Sequence, residues 1–242
     1  MSIVKSRFNV CSKDIKLLIF DMAGTTVNEH GIVYQTLYDT LQNYGINVSI
    51  KDIEKWHGAN KYQVLEHFLN ISFNKSLYNP SNYHKTFEKE RNRLNNTFDR
   101  NLKERYFETD NISLIDERVP ELFNELRKQD IKIALNTGYN KEIQSSIIKK
   151  LHMNDFIDGY VSSEEVSKGR PYPYMINKLM NDLDVENSKQ VVKIGDTAID
   201  ILEGRNAKCL LSIGVLSGAD GKDKLKDADF LLNSVIDLNY LK

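Results

Sequence analysis

Ile15-Lys16-Leu17-Leu18-Ile19-Phe20-Asp21-Met22-Ala23-Gly24-Thr25-Thr26 carries a short apolar run straight into a carboxylate and a Gly-Thr turn. A continuous apolar run bounded by turn residues suits a strand buried on both faces of a parallel sheet. The pattern recurs in Ile131-Lys132-Ile133-Ala134-Leu135, which ends at Asn136-Thr137-Gly138. It recurs again in Val191-Val192-Lys193-Ile194, ending at Gly195-Asp196-Thr197, and in Leu210 to Val215. Asp229-Phe230-Leu231-Leu232 reads as a last short strand. Between these runs apolar residues fall at helical spacing: Leu122, Phe123 and Leu126; Ile143, Ile147 and Leu151; Met175, Leu179 and Leu183. Strand–helix alternation predicts an α/β fold with an open, doubly wound parallel sheet. Ligands of such sheets bind outside the carboxyl ends of the strands. Asp21, Thr137 and Asp196 each stand at such an end.

The stretch from 32 to 107 breaks this rhythm. Tyr34, Leu37, Tyr38 and Leu41 share a helical stripe, as do Val64, Leu65, Phe68 and Leu69, and Phe87 to Tyr106 reads as a charged helix or helix pair. A core of residues 1–31 and 108–242 with a helical cap of 32–107 inserted in it is the expected organisation.

The 242 residues carry 33 Lys and Arg against 34 Asp and Glu, a net charge of -1. This balance argues against a nucleic-acid binder, which needs a basic excess. Mean hydropathy is -0.47, and no apolar run approaches the roughly 18–20 residues of a membrane span. Cys11 and Cys209 cannot make a disulfide framework. Met1 to Lys16 holds scattered basic residues and no apolar signal core, so a cytoplasmic protein is expected.

A strand-end carboxylate such as Asp21 can attack phosphorus, or merely cap its turn. The N–H groups of the Gly24-Thr25 turn can hold phosphate oxygens. Asp196 on another strand end would repel Asp21 unless a cation lay between them, and Mg²⁺ suits hard oxygen ligands. Asp200 reads equally as a further ligand or as a first-turn helix acid. The Thr137 hydroxyl could donate to phosphate. Arg170, in Gly169-Arg170-Pro171-Tyr172-Pro173, has a backbone restricted by prolines and could stabilise phosphoryl charge.

In this order the four segments resemble the haloacid dehalogenase superfamily. Asp21-Met22-Ala23-Gly24-Thr25-Thr26, Asn136-Thr137-Gly138-Tyr139, Gly169-Arg170-Pro171-Tyr172-Pro173 and Lys193-Ile194-Gly195-Asp196-Thr197 are most similar to its phosphonatase branch, the phosphonoacetaldehyde hydrolases. The resemblance covers about Ile15 to Leu216 and implies a Rossmann-like core whose cap closes over the site. It implies that Asp21 is the nucleophile and a Mg²⁺ ligand, with the Ala23 carbonyl and Asp196, and that Asp200 is a ligand or a support. Thr137 and Arg170 are implied to bind phosphate, Arg170 replacing the usual lysine, with Gly24, Thr25, Gly138, Tyr139 and His57 also lining the substrate site. Most of the superfamily has an Asp two residues after the nucleophile as acid and base; Ala23 has no proton to give.

In the phosphonatase branch the leaving group is carbon, and a cap lysine imine with the substrate aldehyde accepts the electrons. Lys61 in His57-Gly58-Ala59-Asn60-Lys61 stands 40 residues after Asp21, close to the family's spacing. Its amine must be neutral to attack, which burial or nearby cations, His57 among them, would favour. The chain departs from the branch at Val64, where a histidine is usual, at His57, where a methionine is usual, and at Gly31 and Ile32, near a usual cysteine. The expected activity is Mg²⁺-dependent P–C bond cleavage in phosphonoacetaldehyde or a related carbonyl phosphonate. The alternatives are a phosphatase for a small phosphorylated metabolite, with His57 as the acid, and a non-catalytic protein that binds such a ligand. The resemblance implies that a homodimer through the caps is possible, and the apolar content of Ile32 to Leu41 permits it.

Overall fold

A computed structural model describes residues 15–75, 83–108 and 111–241. Cys11, the first fourteen residues of the expected core and residues 76–82 of the expected cap lie outside them. Six parallel strands form one sheet in the order β5-β4-β1-β6-β7-β8. They are β1 (Leu17–Asp21), β4 (Lys132–Thr137), β5 (Gly159–Ser162), β6 (Val191–Gly195), β7 (Leu211–Val215) and β8 (Phe230–Leu232). The register pairs Phe20 with Leu135 on one side and with Ile194 on the other. All five residues of β1 are buried, as a central strand with two covered faces requires.

Alternate residues of β1 go to opposite faces. Leu18 and Phe20 join a core with Phe123, Ile143 and Ile147, from α5 (Val119–Arg127) and α6 (Lys141–Lys150). Leu17 and Ile19 join a second core with Met175, Ile176 and Leu179, from α7 (Tyr174–Asp182). The chain builds β4 and β5 on one side of β1, then crosses to place β6 on the other. The switch point therefore opens at the carboxyl ends of β1, β4 and β6.

A two-residue strand, β2 (Val27–Asn28), pairs antiparallel with β3 (Ser113–Leu114). Among the described residues four α-helices intervene: α1 (Ile32–Asn43), α2 (Ile50–Glu54), α3 (Lys61–Lys75) and α4 (Tyr83–Lys103). Helix α1 turns Val33, Leu37 and Leu41 inward, and α4 supplies Phe87, Leu94, Phe98 and Leu102. The expected charged helix is thus one 21-residue helix, followed by a wide π-turn at Glu104–Glu108 that carries Tyr106 inward.

Sequence patterning does not reveal β5 or the last helix, α8 (Ala198–Asn206). Strand β5 has only four residues, and two of them are not buried. Helix α8 buries Asp200, Ile201, Glu203 and Gly204, so its inward face is largely charged and shows no apolar stripe. No helix among the described residues is long and apolar enough to cross a membrane.

Candidate active site

Asp21 ends β1, Thr137 ends β4, and Asp196 follows β6. Asp200 lies in the first turn of α8, where its Oδ2 accepts from the Thr197 hydroxyl at 2.5 Å. One oxygen each of Asp21, Asp196 and Asp200 lie within 4.8 Å of one another, all buried. Arg170 Nη1 approaches Asp21 at 2.7 Å and Asp200 at 3.1 Å. Lys193 adds a second cation 2.9 Å from Asp200 and 3.5 Å from Glu203.

Among the described residues Asp196 has only neutral donors: the Thr25 hydroxyl at 3.0 Å and the Ala219 N–H at 2.7 Å. Burial, with Asp21 and then Asp200 close by, pushes its carboxyl well above the usual range. Burial also raises Asp21, against the pull of Arg170. Asp200 goes the other way, because Arg170 and Lys193 outweigh its desolvation. On the core side of the site four buried carboxylates, Asp21, Asp196, Asp200 and Glu203, face two buried cations, Arg170 and Lys193. The difference is two negative charges, which one divalent cation would compensate. An all-oxygen donor set suits a hard ion such as Mg²⁺, so the residues fit the metal.

Arg170 is more fully engaged than its flanking prolines suggest. Its Nε donates to Glu203 at 3.2 Å and its Nη2 to the Asn136 carbonyl at 2.8 Å, while Nη1 holds the two aspartates. It therefore fixes the Asp21 carboxylate first. Asn136 ties the set together, since its Oδ1 accepts from Lys193 at 2.7 Å and its Nδ2 donates to Glu203 at 2.9 Å. Glu203 carries no signal of its role in the sequence, where Lys193 stands only as a motif residue. The signal for Lys193 was present: a lysine inside a strand buried on both faces needs a buried partner.

The nucleophile turn differs from expectation in one respect. The Gly24 N–H donates to the Val27 carbonyl at 2.8 Å, and the Thr25 N–H to the Met22 carbonyl at 3.1 Å. These groups close the turn and are not turned to a phosphate. Gly24 has φ +80°, and a Cβ on it would stand 2.6 Å from Asp196 Oδ2. Its bareness thus serves the carboxylate pair. The Thr137 hydroxyl oxygen accepts the Tyr139 N–H at 3.3 Å, leaving its own hydrogen to donate.

The loop from His57 to Lys61 folds down on this surface. Gly58 has φ +76°, and a Cβ there would lie 2.4 Å from Thr197 Oγ1. A Cβ on Gly138 would lie 2.7 Å from the Ala59 carbonyl. Asn60 Nδ2 donates to Ser163 Oγ at 2.7 Å. Lys61 is buried; its Nζ donates to the Ala59 carbonyl at 2.9 Å and stands 5.1 Å from the Tyr34 ring centre and 5.9 Å from that of Tyr139. Burial lowers its pKa from 10.5 to about 8, with Arg170 assisting and Asp21 opposing. His57 is not the cause. Its Nδ1 pairs with Asp220 at 3.1 Å, and its ring lies 4.4 Å from that of Tyr34. Burial works to raise Asp220, but hydrogen bonds from His57, the Ala198 N–H and Lys224 bring it down to about 2. A cleft of about 300 Å³ opens between cap and core, lined by Ala23, Glu29, Tyr34, His57 and Asp196.

Residues 18–212 match the family described as haloacid dehalogenase-like hydrolase. The chain is 31% identical over 225 residues to a phosphonoacetaldehyde hydrolase of Lysinibacillus sphaericus, covering 90% of this chain and 80% of that protein. It is 30% identical over 216 residues to a bifunctional phosphonoacetaldehyde hydrolase/aminoethylphosphonate transaminase of Clostridioides difficile, covering 87% of this chain and 33% of that one. It spans 33–39% of the length of several of the curated relatives it matches. The crystal structure of a phosphonoacetaldehyde hydrolase-like protein from Oleispira antarctica superposes with a TM-score of 0.77 at 22% identity, covering 96% of this chain and 92% of that one.

Proposed function

Since the chain belongs to the haloacid dehalogenase-like hydrolases, and within them to the phosphonatase branch, we propose that it cleaves the P–C bond of phosphonoacetaldehyde or a related carbonyl phosphonate, releasing an aldehyde and phosphate. The observation that carries this reading is Lys61. It is a buried amine drawn down to about 8 and within electrostatic reach of Asp21, in a chain whose Ala23 can protonate no leaving alkoxide.

Lys61 condenses with the substrate carbonyl. One oxygen of Asp21, held by Arg170, attacks phosphorus; the P–C bond breaks, and its electrons move into the protonated imine to give an enamine. Bound Mg²⁺, held by Asp21, Asp196, the Ala23 carbonyl and Asp200 as ligand or support, would supply positive charge against the carboxylates and the phosphoryl oxygens. The Thr137 hydroxyl donates to a phosphoryl oxygen. Water then cleaves the aspartyl-phosphate at Asp21, the enamine is protonated at carbon, and hydrolysis of the imine frees Lys61. The cap loop excludes bulk water during these steps.

Incubation with phosphonoacetaldehyde and Mg²⁺ is expected to give phosphate and acetaldehyde in equal amounts, and borohydride added with substrate to inactivate the enzyme at Lys61. Full P–C cleavage by Lys61→Arg would exclude the imine. A phosphatase reading is favoured by one observation: His57, oriented by Asp220, faces the same cleft as Ala23 and Asp196, and an imidazole held by a carboxylate is a common proton-transfer pair. Phosphomonoester turnover that survives Lys61→Arg and is lost in His57→Ala would establish that reading instead.

A further inference from the structure

Imine formation moves protons, and this site has neither an acid at Ala23 nor a histidine at Val64. Two N–H protons of the Lys61 ammonium must end on the water that leaves the carbinolamine. Lys61 is only 7% exposed, so solvent is poorly placed to carry them.

A hydrogen-bond chain leads from the site to a buried carboxylate. The hydroxyls of Tyr139 and Tyr106 are 2.7 Å apart, and Tyr106 donates to Glu29 Oε2 at 2.9 Å. Tyr139, Tyr106 and Glu29 are 2%, 0% and 5% exposed. Because the Tyr106 hydrogen is committed to Glu29, Tyr139 donates to Tyr106, and its own lone pairs remain to accept. Lys61 Nζ, bonded to the Ala59 carbonyl, stands 5.1 Å from the Tyr34 ring centre and 5.9 Å from that of Tyr139, and the Glu29 charge acts on it. Burial keeps both phenols neutral, so each can receive a proton on oxygen while passing on its own. Glu29 also accepts the Val33 N–H at 2.8 Å and borders the cleft that reaches Ala23 and Asp196.

We propose that Glu29, Tyr106 and Tyr139 form the proton relay of the Lys61 imine, standing in for the acid and base that Ala23 and Val64 cannot supply; the proposal rests on the imine reading above. Each of the two protons leaves nitrogen through Tyr139 and Tyr106 to the Glu29 carboxylate and returns by the same path to the carbinolamine oxygen. The C–O bond then breaks, water departs, the protonated C=N bond remains, and Glu29 ends as it began. No other reactant is consumed.

Wild type, Glu29→Gln, Tyr106→Phe and Lys61→Arg are mixed with phosphonoacetaldehyde and Mg²⁺, quenched with borohydride at intervals, and the Lys61 adduct is counted by peptide mass spectrometry. Glu29→Gln and Tyr106→Phe are expected to form the adduct about 100-fold more slowly, the scale of lost acid–base assistance. They should reach the wild-type final extent, keep the wild-type KM and melting temperature, and acquire a rate sensitive to D₂O. Adduct formation at the wild-type rate in either variant overturns the relay. So does a slowed rate that follows a lost folded fraction with no change in D₂O sensitivity, which identifies a mere brace between cap and core. Absence of any wild-type adduct, with Lys61→Arg cleaving normally, removes the imine itself and is thereby distinguishable from failure of the relay alone.

Discussion

Lys61 gives the sharpest quantitative expectation. Its pKa falls from 10.5 to about 8, chiefly through burial. At pH 7 about one Lys61 in eleven is then neutral, roughly 300-fold more than for an ordinary lysine. Reductive ethylation with acetaldehyde and cyanoborohydride, followed residue by residue by mass spectrometry, reads this directly. The Lys61 rate should climb from pH 6 and level off just above 8, while Lys55, with a side chain 70% exposed, serves as the internal reference. The same shift has a thermodynamic sign. A lysine whose folded pKa is depressed destabilises the fold fully below the folded value, and the penalty vanishes as pH rises through the unfolded one. The cost is complete below pH 8, fades between about 8 and 10.5, and amounts to about 3 kcal/mol at neutral pH. Lys61→Met should therefore be inactive yet more stable in urea at pH 7, with the advantage gone near pH 11. A Lys61 rate still climbing steeply at pH 10, or a variant less stable than wild type at pH 7, would refute the reasoning.

Asp196→Asn removes a buried acid that lacks a cation, so the metal-free protein should melt higher while calorimetric Mg²⁺ affinity drops at least tenfold; unchanged affinity would place the metal elsewhere. Lys193→Met leaves Asp200 and Glu203 short of a partner and is expected to lose about 3–5 kcal/mol in urea denaturation, the usual cost of breaking a buried pair. A loss under 1 kcal/mol would show the network to be dispensable. In Gly58→Ala the added methyl meets Thr197 Oγ1, so kcat with phosphonoacetaldehyde should fall at least tenfold while equilibrium Mg²⁺ binding is kept; equal activity would mean that the loop does not seat there during turnover. Ala23→Asp restores a proton donor and should raise p-nitrophenyl phosphate hydrolysis by about 10²-fold or more, and no gain would argue that the turn cannot direct an acid at the leaving group.

Much of this was legible in the chain because each apolar run stops abruptly on a polar group. Phe20-Asp21, Leu135-Asn136-Thr137 and Ile194-Gly195-Asp196 announce strand ends, and a parallel sheet gathers such ends on one edge. Lys61 stood out only through the resemblance, whose spacing from Asp21 it matches. The residues that hold the site rigid were not legible. Glu203 lies on α8, whose buried face is polar, so hydrophobic periodicity has nothing to register there. Glu29 and Tyr106 stand far apart in sequence and acquire meaning only when the two ends of the inserted helices meet. Backbone direction was equally hidden: the Gly24-Thr25 turn looked like a phosphate cradle, but its N–H groups close the turn itself.

The short β2–β3 pair bears on how the molecule is made. Topologically it is a hairpin whose connecting loop runs through all 84 residues from 29 to 112. Closing such a loop costs about 3 kcal/mol more chain entropy than a four-residue turn. Two residues per strand repay little of that. The pair is therefore a late event in folding, waiting until the intervening helices have collapsed and drawn their ends together. The turn that carries Asp21 and Ala23 lies immediately before β2, closed by its own bonds between residues 22 and 27, so the pair ties an already formed turn to the far end of the inserted helices. During synthesis Asp21 leaves the ribosome well before Ser113, Thr137, Arg170 and Asp196, the residues that complete its surroundings.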